Sequence, residues 1–326
     1  MKNAVISLGH ACNSRCVFCM DGYRLPELKR KMDVEKIRVE LEHFHGLGCR
    51  RAVFLGGEPT IFPWLGDLVR HARALGYASV EVSTNGLRCG DREYVRQLLE
   101  AGVSRVTISI HSHLAGIEEE LTGVPGGLKR KLEGLRVLAE FRRQGFIEEG
   151  IYLNPVLARS NYRHVPAYVN YFEQSGVDHI HFNLIGGSIY TWPLGQDLKD
   201  SGLVPAYAEI MPYLVRALLP SRRKSQVSLR FENIPPCVFP WGKMSRSVLE
   251  KIIERHTKEV ESHSWLSIIG RRFEWDRFVR EEFCVKGEVC RQCEYRDRCS
   301  GVLKSYVSVY GFRELSPIHM DVPRAL

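Results

Sequence analysis

The sequence is poor in long hydrophobic runs. Its first apolar stretch covers only residues 4–8, and polar positions such as His10 and Asn13 follow at once. That stretch is too short for the hydrophobic segment of a signal peptide or for a membrane span. Internal repeats and low-complexity segments are also absent from the 326 residues, which argues against repeat architectures and disorder-driven functions. We therefore expect a cytoplasmic globular protein with no membrane association.

The composition is that of an ordinary globular protein, with 44% hydrophobic and 26% charged residues. A net charge of +8 could suit a nucleic acid or an acidic redox protein, but the basic residues stand in short, scattered runs. Runs such as Lys129-Arg130-Lys131 are typical of solvated surface. Nucleic acid is therefore a disfavoured partner.

Ten cysteines are present although no export signal is. Thiols stay reduced in the cytoplasm, so clustered cysteines indicate metal binding or catalysis rather than disulfides. Cys49, outside any cluster, is expected to be a buried small hydrophobic residue.

Short β-branched segments alternate with amphipathic stretches over the first 185 residues or so. The predicted strands cover residues 5–8, 52–55, 80–83, 106–110, 151–154 and 180–184, and Asp33 is the predicted N-cap of the first helix. Six such units predict a partial (β/α)6 TIM-like barrel, with a flat doubly wound sheet as the alternative.

The alternation stops after Gly186. We therefore predict a barrel domain over residues 1–190 and a small cysteine-rich domain over 191–326, with helices near 204–219 and 246–260. Because ligands bind at the carboxyl ends of parallel strands, the loops directly after strands are the candidate sites.

Cys12, Cys16 and Cys19 follow the first predicted strand with the spacing Cys-x3-Cys-x2-Cys. Thiolates are soft ligands that suit iron–sulfur clusters and zinc. A four-iron cluster takes one ligand per iron, so three local thiolates leave one iron open for another ligand. Zinc with His10 as an additional ligand is the alternative interpretation.

The spacing, with Phe18 before the last cysteine, resembles the signature of the radical S-adenosylmethionine (radical SAM) superfamily. Gly56-Gly57-Glu58-Pro59 resembles the superfamily motif that holds the methionine amino group of the cofactor. The resemblance implies a partial barrel and a 4Fe–4S cluster on the three cysteines, with S-adenosylmethionine bound to the open iron. It also implies reductive cleavage of S-adenosylmethionine to a 5′-deoxyadenosyl radical, which takes a hydrogen atom from a substrate.

The resemblance assigns further cofactor contacts to polar residues at the ends of later strands. They are Ser83, Thr84, Asn85, Ser109, His111, Asn154 and Arg159. Turn or strand-end roles would explain the same residue types. Cys89 is a candidate hydrogen-atom donor near the site, and substrate-pocket candidates are His111, His113, Tyr190 and Trp192.

A second group, Cys290, Cys293 and Cys299, has the spacing Cys-x2-Cys-x5-Cys and indicates another metal site. It resembles the auxiliary-cluster domains of the superfamily, called SPASM and, in shortened form, twitch. Their full pattern has more cysteines than this chain offers, which implies one auxiliary 4Fe–4S cluster. Cys237 is the favoured fourth ligand and Cys284 the alternative, and structural zinc is the alternative metal.

The resemblance further implies an electron donor of the flavodoxin or ferredoxin type, and a peptide or small biosynthetic metabolite as substrate. No leader-binding domain fits before Cys12, which weakens the peptide hypothesis without removing it, because a separate leader-peptide-binding protein can supply that function. A tRNA- or nucleotide-modifying enzyme and a non-enzymatic iron–sulfur scaffold or electron carrier are the alternatives, since fold does not settle function.

Overall fold

The computed structural model describes residues 1–19, 33–186, 201–218, 227–239, 247, 250–251, 264–268 and 271–319. Tyr190, Trp192 and nearly all of the helix predicted at 246–260 lie outside these residues.

The order of elements is that of repeated β/α units. The strands are β1 (Asn3–Ser7), β2 (Arg51–Leu55), β3 (Ser79–Thr84), β4 (Arg105–Ile108), β5 (Gly150–Leu153), β6 (Val156–Leu157), β7 (His179–Leu184), β8 (Ser228–Glu232), β9 (Ser264–Ile268), β10 (Arg271–Glu274), β11 (Cys284–Val285) and β12 (Val302–Leu303). The helices are α1 (Val34–Gly46), α2 (Leu65–Leu75), α3 (Arg92–Ala101), α4 (Ala115–Thr122), α5 (Gly127–Arg143), α6 (Val165–Phe172), α7 (Tyr207–Leu218), α8 (Trp275–Phe278) and α9 (Lys304–Tyr310).

The six predicted strands pair in parallel in the order β1-β2-β3-β4-β5-β7, and the sheet curls into a half-barrel. The prediction of a partial TIM-like barrel is therefore confirmed. Strand β8 pairs in parallel with β7, and β9 pairs in parallel with β1. The sheet thus continues past residue 190 at both edges, and the division of the chain at that residue stays a prediction.

Helix α1 shows how the helices are placed on the sheet. The Asp33 side chain accepts a hydrogen bond from the Glu35 amide at 3.0 Å, so Asp33 is the N-cap, as predicted. Ile37, Leu41 and Phe44 share one face of the helix and are fully buried. Each contributes roughly 1.5–3 kcal/mol of apolar burial, which holds the helix against the strands.

Helices α7 and α9 of the C-terminal region pack together through aromatic side chains. Helix α7 matches the helix predicted at 204–219. The rings of Tyr207 on α7 and Tyr306 on α9 stack with centroids 3.8 Å apart, and the Tyr306 hydroxyl accepts from the Tyr207 amide at 2.7 Å. Among the described helices, none is long and apolar enough to cross a membrane.

Candidate active site

Cys12, Cys16 and Cys19 lie in the loop that follows β1, at the carboxyl end of the sheet. All three cysteines are half-buried. Main-chain bonds on either side of Cys16 hold this cysteine loop against the end of α4: the Arg15 amide donates to Thr122 O at 2.8 Å, and the Val17 amide donates to Leu121 O at 2.9 Å. The loop is therefore fixed by a neighbouring helix end as well as by its own turns.

The loop after β2 lies directly against the cysteine loop. The Gly57 amide donates to Gly9 O at 2.6 Å, and the Glu58 amide donates to Ala11 O at 2.8 Å. A Cβ on Gly57 would stand 2.1 Å from Ala11 O, and one on Gly56 would stand 2.7 Å from Gly9 O. The absence of a side chain on these two glycines therefore lets the loop after β2 approach the backbone of the cysteine loop.

Glu58 is buried, with only 1% of its surface exposed, and its carboxylate connects the loops after β2 and β3. Its Oε1 accepts from the Thr60 amide at 2.9 Å, from the Thr60 hydroxyl at 2.6 Å and from the Thr84 hydroxyl at 2.6 Å. Its Oε2 accepts from the Asn85 amide at 2.6 Å. These described partners are neutral amide and hydroxyl groups, and the following Pro59 begins a buried 3₁₀ turn.

Asn85 joins the loop after β3 to the cysteine loop. Its Nδ2 donates to Asn13 Oδ1 at 2.6 Å and to Ser14 Oγ at 3.1 Å, and it lies 3.9 Å from Cys12 Sγ. The structure therefore brings together Glu58, Thr84, Asn85 and the first cysteine, all of which the sequence singled out.

His111, in the loop after β4, packs against the cysteine loop. Its ring meets that of Phe18 edge to face, with centroids 4.7 Å apart. Its Nδ1 accepts from the Val156 amide at 3.1 Å, so the proton of the neutral ring is on Nε2. Burial lowers the pKa of His111 to about 4, which makes this neutral form the one present near pH 7.

A buried ion pair that the sequence reasoning missed supports the same loop. Lys131 Nζ lies 2.6 Å from Glu118 Oε1, and both side chains are almost fully buried. The run Lys129-Arg130-Lys131 was predicted to be solvated surface, and for Lys131 that prediction is wrong. A sequence signal did exist: Lys131 is three residues after Leu128 and four before Leu135, on the buried face of α5.

The remaining predicted cofactor contacts are more scattered. Ser109 accepts from Lys131 through its main-chain oxygen, and the Asn154 side chain accepts from Asn183. Arg159 donates to Gly202 O and Val204 O and pairs with Glu209, so its contacts fix the segment before α7. Ser83 is half-buried near the end of β3. Their roles as cofactor contacts stay predictions.

The two cysteines outside the clusters are in the core. Cys49 is fully buried, as predicted. Cys89 is 4% exposed, and a Cβ on Gly134 of α5 would lie 2.7 Å from the Cys89 Cβ. Burial raises the pKa of the Cys89 thiol to about 12. Its role as a hydrogen-atom donor stays a prediction, and these contacts offer it no support.

His113 is a half-buried neighbour of His111, and the two rings line one small cavity of about 200 Å³. The ring centroids of His113 and His164 are 6.3 Å apart. A substrate contact by either histidine stays a prediction.

Four cysteines of the C-terminal region surround a single cavity. Cys237, Cys290, Cys293 and Cys299 line about 430 Å³ of space, part of it open to solvent. Burial and the three neighbouring thiols raise the pKa of Cys237 to about 12. As thiolates, four cysteines around one cavity would be stabilised by the positive charge of a metal centre.

Cys284 has a different position. It lies in β11, paired with Leu303 of β12, and lines a separate cavity of about 560 Å³ beside the end of β8. Its thiol is buried, which raises its pKa to about 12. The structure therefore groups Cys237, and not Cys284, with the Cys290 cluster.

Zinc and a four-iron cluster make different demands on the arrangement of the thiolates. A single zinc ion draws its ligands to about 2.3 Å around one point. Within the described residues, no three His, Cys, Asp or Glu side chains converge in that way. A four-iron cluster instead needs thiolates spread around a volume, one for each iron. Cys237, Cys290, Cys293 and Cys299, which line one volume, suit the second arrangement.

A half-barrel with three cysteines in the loop after its first strand is an α/β fold with a candidate metal site. Residues 6–147 match the family model of the radical SAM superfamily. The PqqA peptide cyclase of Xanthomonas euvesicatoria pv. vesicatoria is 31% identical over 354 residues, which is 98% of this chain and 89% of that protein. The chain belongs to the radical SAM superfamily, a group of enzymes that use a 4Fe–4S cluster and S-adenosylmethionine.

Some curated relatives match only about half of this chain. The probable GTP 3′,8-cyclase of Sulfolobus acidocaldarius is 31% identical over 182 residues, 56% of this chain, and the chain spans 55% of that protein. Among solved structures, Streptococcus suis SuiB bound to S-adenosylmethionine has a TM-score of 0.61 at 13% identity, covering 97% of this chain and 76% of SuiB. The anSMEcpe enzyme with bound AdoMet has a TM-score of 0.58 at 16% identity, covering 96% of each chain. At these identities the structural likeness concerns the fold alone.

Proposed function

We propose that this chain reductively cleaves S-adenosylmethionine at a 4Fe–4S cluster held by Cys12, Cys16 and Cys19. When bound, the cluster supplies one electron to the sulfonium and so starts hydrogen-atom abstraction from a substrate. The observation that carries the proposal is the junction of the cysteine loop with Gly57 and Glu58, which places a buried carboxylate beside a three-thiolate site.

Glu58 is suited to hold the amino group of the cofactor. A carboxylate has about four acceptor positions, and Oε2 is used once by the described residues. A buried carboxylate among neutral partners is costly until a cation reaches it. The ammonium of the methionine moiety would supply that cation, while Asn85 and Thr84 keep the carboxylate oriented.

The test is anaerobic conversion of S-adenosylmethionine to 5′-deoxyadenosine by the reconstituted, reduced protein. Cys16→Ala removes one of three cluster ligands and should abolish the product. Cys49→Ala, which changes a fully buried cysteine outside both groups, is the matched control and should keep it. No turnover by the wild-type protein would favour the iron–sulfur scaffold or electron carrier instead.

We further propose one auxiliary 4Fe–4S cluster on Cys237, Cys290, Cys293 and Cys299. Four thiolates would bind all four irons, which suits electron transfer rather than substrate binding. The wild-type protein should hold roughly eight irons per chain and Cys237→Ala roughly four to five, whereas Cys284→Ala should match the wild type. Equal losses in both variants, or zinc in place of iron, would contradict this assignment.

For the substrate we propose a peptide. The PqqA peptide cyclases match this chain over nearly its whole length, whereas the GTP cyclases match about half of it. A flavodoxin or ferredoxin-type protein would supply the electron, and a separate protein could bind a leader peptide. Incubation with candidate precursor peptides and with GTP, followed by chromatography and mass spectrometry, distinguishes the two substrate classes, because only the true substrate is consumed and gives a new product peak.

A further inference from the structure

The pair Lys131–Glu118 is the most deeply buried ion pair in the described part of the chain. The Lys131 ammonium also donates to Ser109 O at 2.9 Å, so two acceptors hold it in place. Removing both charges from water is unfavourable, and hydrophobic residues of similar volume often serve stability equally well. Stability alone therefore does not explain why a charged pair stands here.

The pair connects two helices to the cysteine loop. Glu118 Oε2 accepts from the amides of His111 and Ser112 at 2.7 and 2.8 Å. Glu118 itself belongs to α4, whose last carbonyls, on Leu121 and Thr122, accept from the amides that flank Cys16. Lys131 on α5 thus holds the helix that positions a cluster ligand.

The Lys131 side chain also passes the loop after β3. A Cβ on Gly86 would lie 3.8 Å from Lys131 Cγ, and the side-chain amide of the adjoining Asn85 lies 3.9 Å from Cys12 Sγ. The buried ammonium therefore belongs to the set of residues packed around the cysteine loop.

We propose that Lys131 is a positioning residue that holds α4 against Cys16 and, through its buried positive charge, stabilises the reduced state of the cluster. Reduction adds one negative charge to the cluster, and a nearby cation in a low-dielectric interior favours that state. This inference depends on the proposed function, since it requires a cluster on Cys12, Cys16 and Cys19.

The test is a redox titration of the reconstituted protein, followed by electron paramagnetic resonance of the cluster signal that changes when S-adenosylmethionine is added. Lys131→Met removes the ammonium and keeps a linear side chain. We expect the ratio of reduced to oxidised cluster at a fixed potential to fall about tenfold. For one electron this corresponds to a midpoint potential lower by roughly 59 mV. Lys129→Met, an exposed position on the same helix, is the matched control and should leave the potential unchanged.

A second variant keeps the test decisive if Lys131→Met does not fold with its unpaired Glu118. Glu118→Gln/Lys131→Met removes both charges, and we expect it to fold and to show a smaller fall in potential, because the opposing charge is lost as well. The inference is overturned if Lys131→Met holds its full iron content and its midpoint potential is unchanged. If Lys131→Met does not fold, the same result in the double variant overturns it. A wild-type protein without such a signal refutes the proposed function and this inference together, whereas an active wild type with unchanged variants refutes only this inference.

Discussion

Gly57→Ala is predicted to break the contact between the loop after β2 and the cysteine loop. The added Cβ would lie 2.1 Å from Ala11 O, so the cysteine loop must withdraw by about 1.3 Å to reach the 3.4 Å of ordinary contact. That movement costs about 1–3 kcal/mol of overpacking, and it weakens the bonds from the amides of Gly57 and Glu58, worth about 0.5–1.5 kcal/mol each. We expect a loss of about 2–6 kcal/mol in the free energy of unfolding, measured with urea.

The same variant should lose the iron of the first cluster and keep that of the auxiliary cluster. We expect its iron content to fall by roughly four per chain, because the auxiliary cysteines are unaffected, and 5′-deoxyadenosine formation to be lost. Gly46→Ala is the control, since a Cβ on Gly46 meets nothing within 4 Å. Wild-type stability and iron content in Gly57→Ala would refute the account of this contact.

Three further predictions concern single side chains. The pKa of His111 is about 4 in the folded protein and about 6.5 in the unfolded chain, so the unfolded chain binds more protons between these values. The contribution of His111 to the free energy of unfolding should therefore fall by about 2 kcal/mol from pH 7 to pH 5. His111→Phe should remove that part of the pH dependence in urea titrations. Asn85→Ala loses the bonds to Asn13 and Ser14 and should destabilise the protein by about 1–2 kcal/mol while weakening retention of the first cluster under chelation, and unchanged retention would contradict the contact. Cys89→Ala should keep 5′-deoxyadenosine formation and product yield, measured by chromatography; a selective loss of product would show that the buried thiol does donate a hydrogen atom.

Much of the barrel could be predicted because the sequence carries the relevant periodicities. The six strands and the Asp33 cap depend on local patterns, and the structure confirms them. Strands β8 and β9 were not predicted, because they join the sheet edges from a region without β/α alternation. Their pairing with β7 and β1 is a long-range effect that local periodicity does not report.

The candidate site also has parts that the sequence predicts and parts that only the fold shows. Contiguous motifs, such as the cysteine loop and Gly57-Glu58, could be read directly from the sequence. The support from Leu121 and Thr122 could not, because it is made by main-chain carbonyls that any residue type carries. The fold was also needed to see that Cys237 lines the same cavity as Cys290 whereas Cys284 lines a different one, because local spacing does not report this difference.

The most direct test of the central claim is to measure methionine and 5′-deoxyadenosine released by the anaerobically reduced wild-type protein. Cleavage at the open iron predicts the two products in equal amounts, and it predicts neither product from the Cys16→Ala variant. A reconstituted protein that holds its iron but releases no 5′-deoxyadenosine, or a Cys16→Ala variant as active as the wild type, would contradict the account.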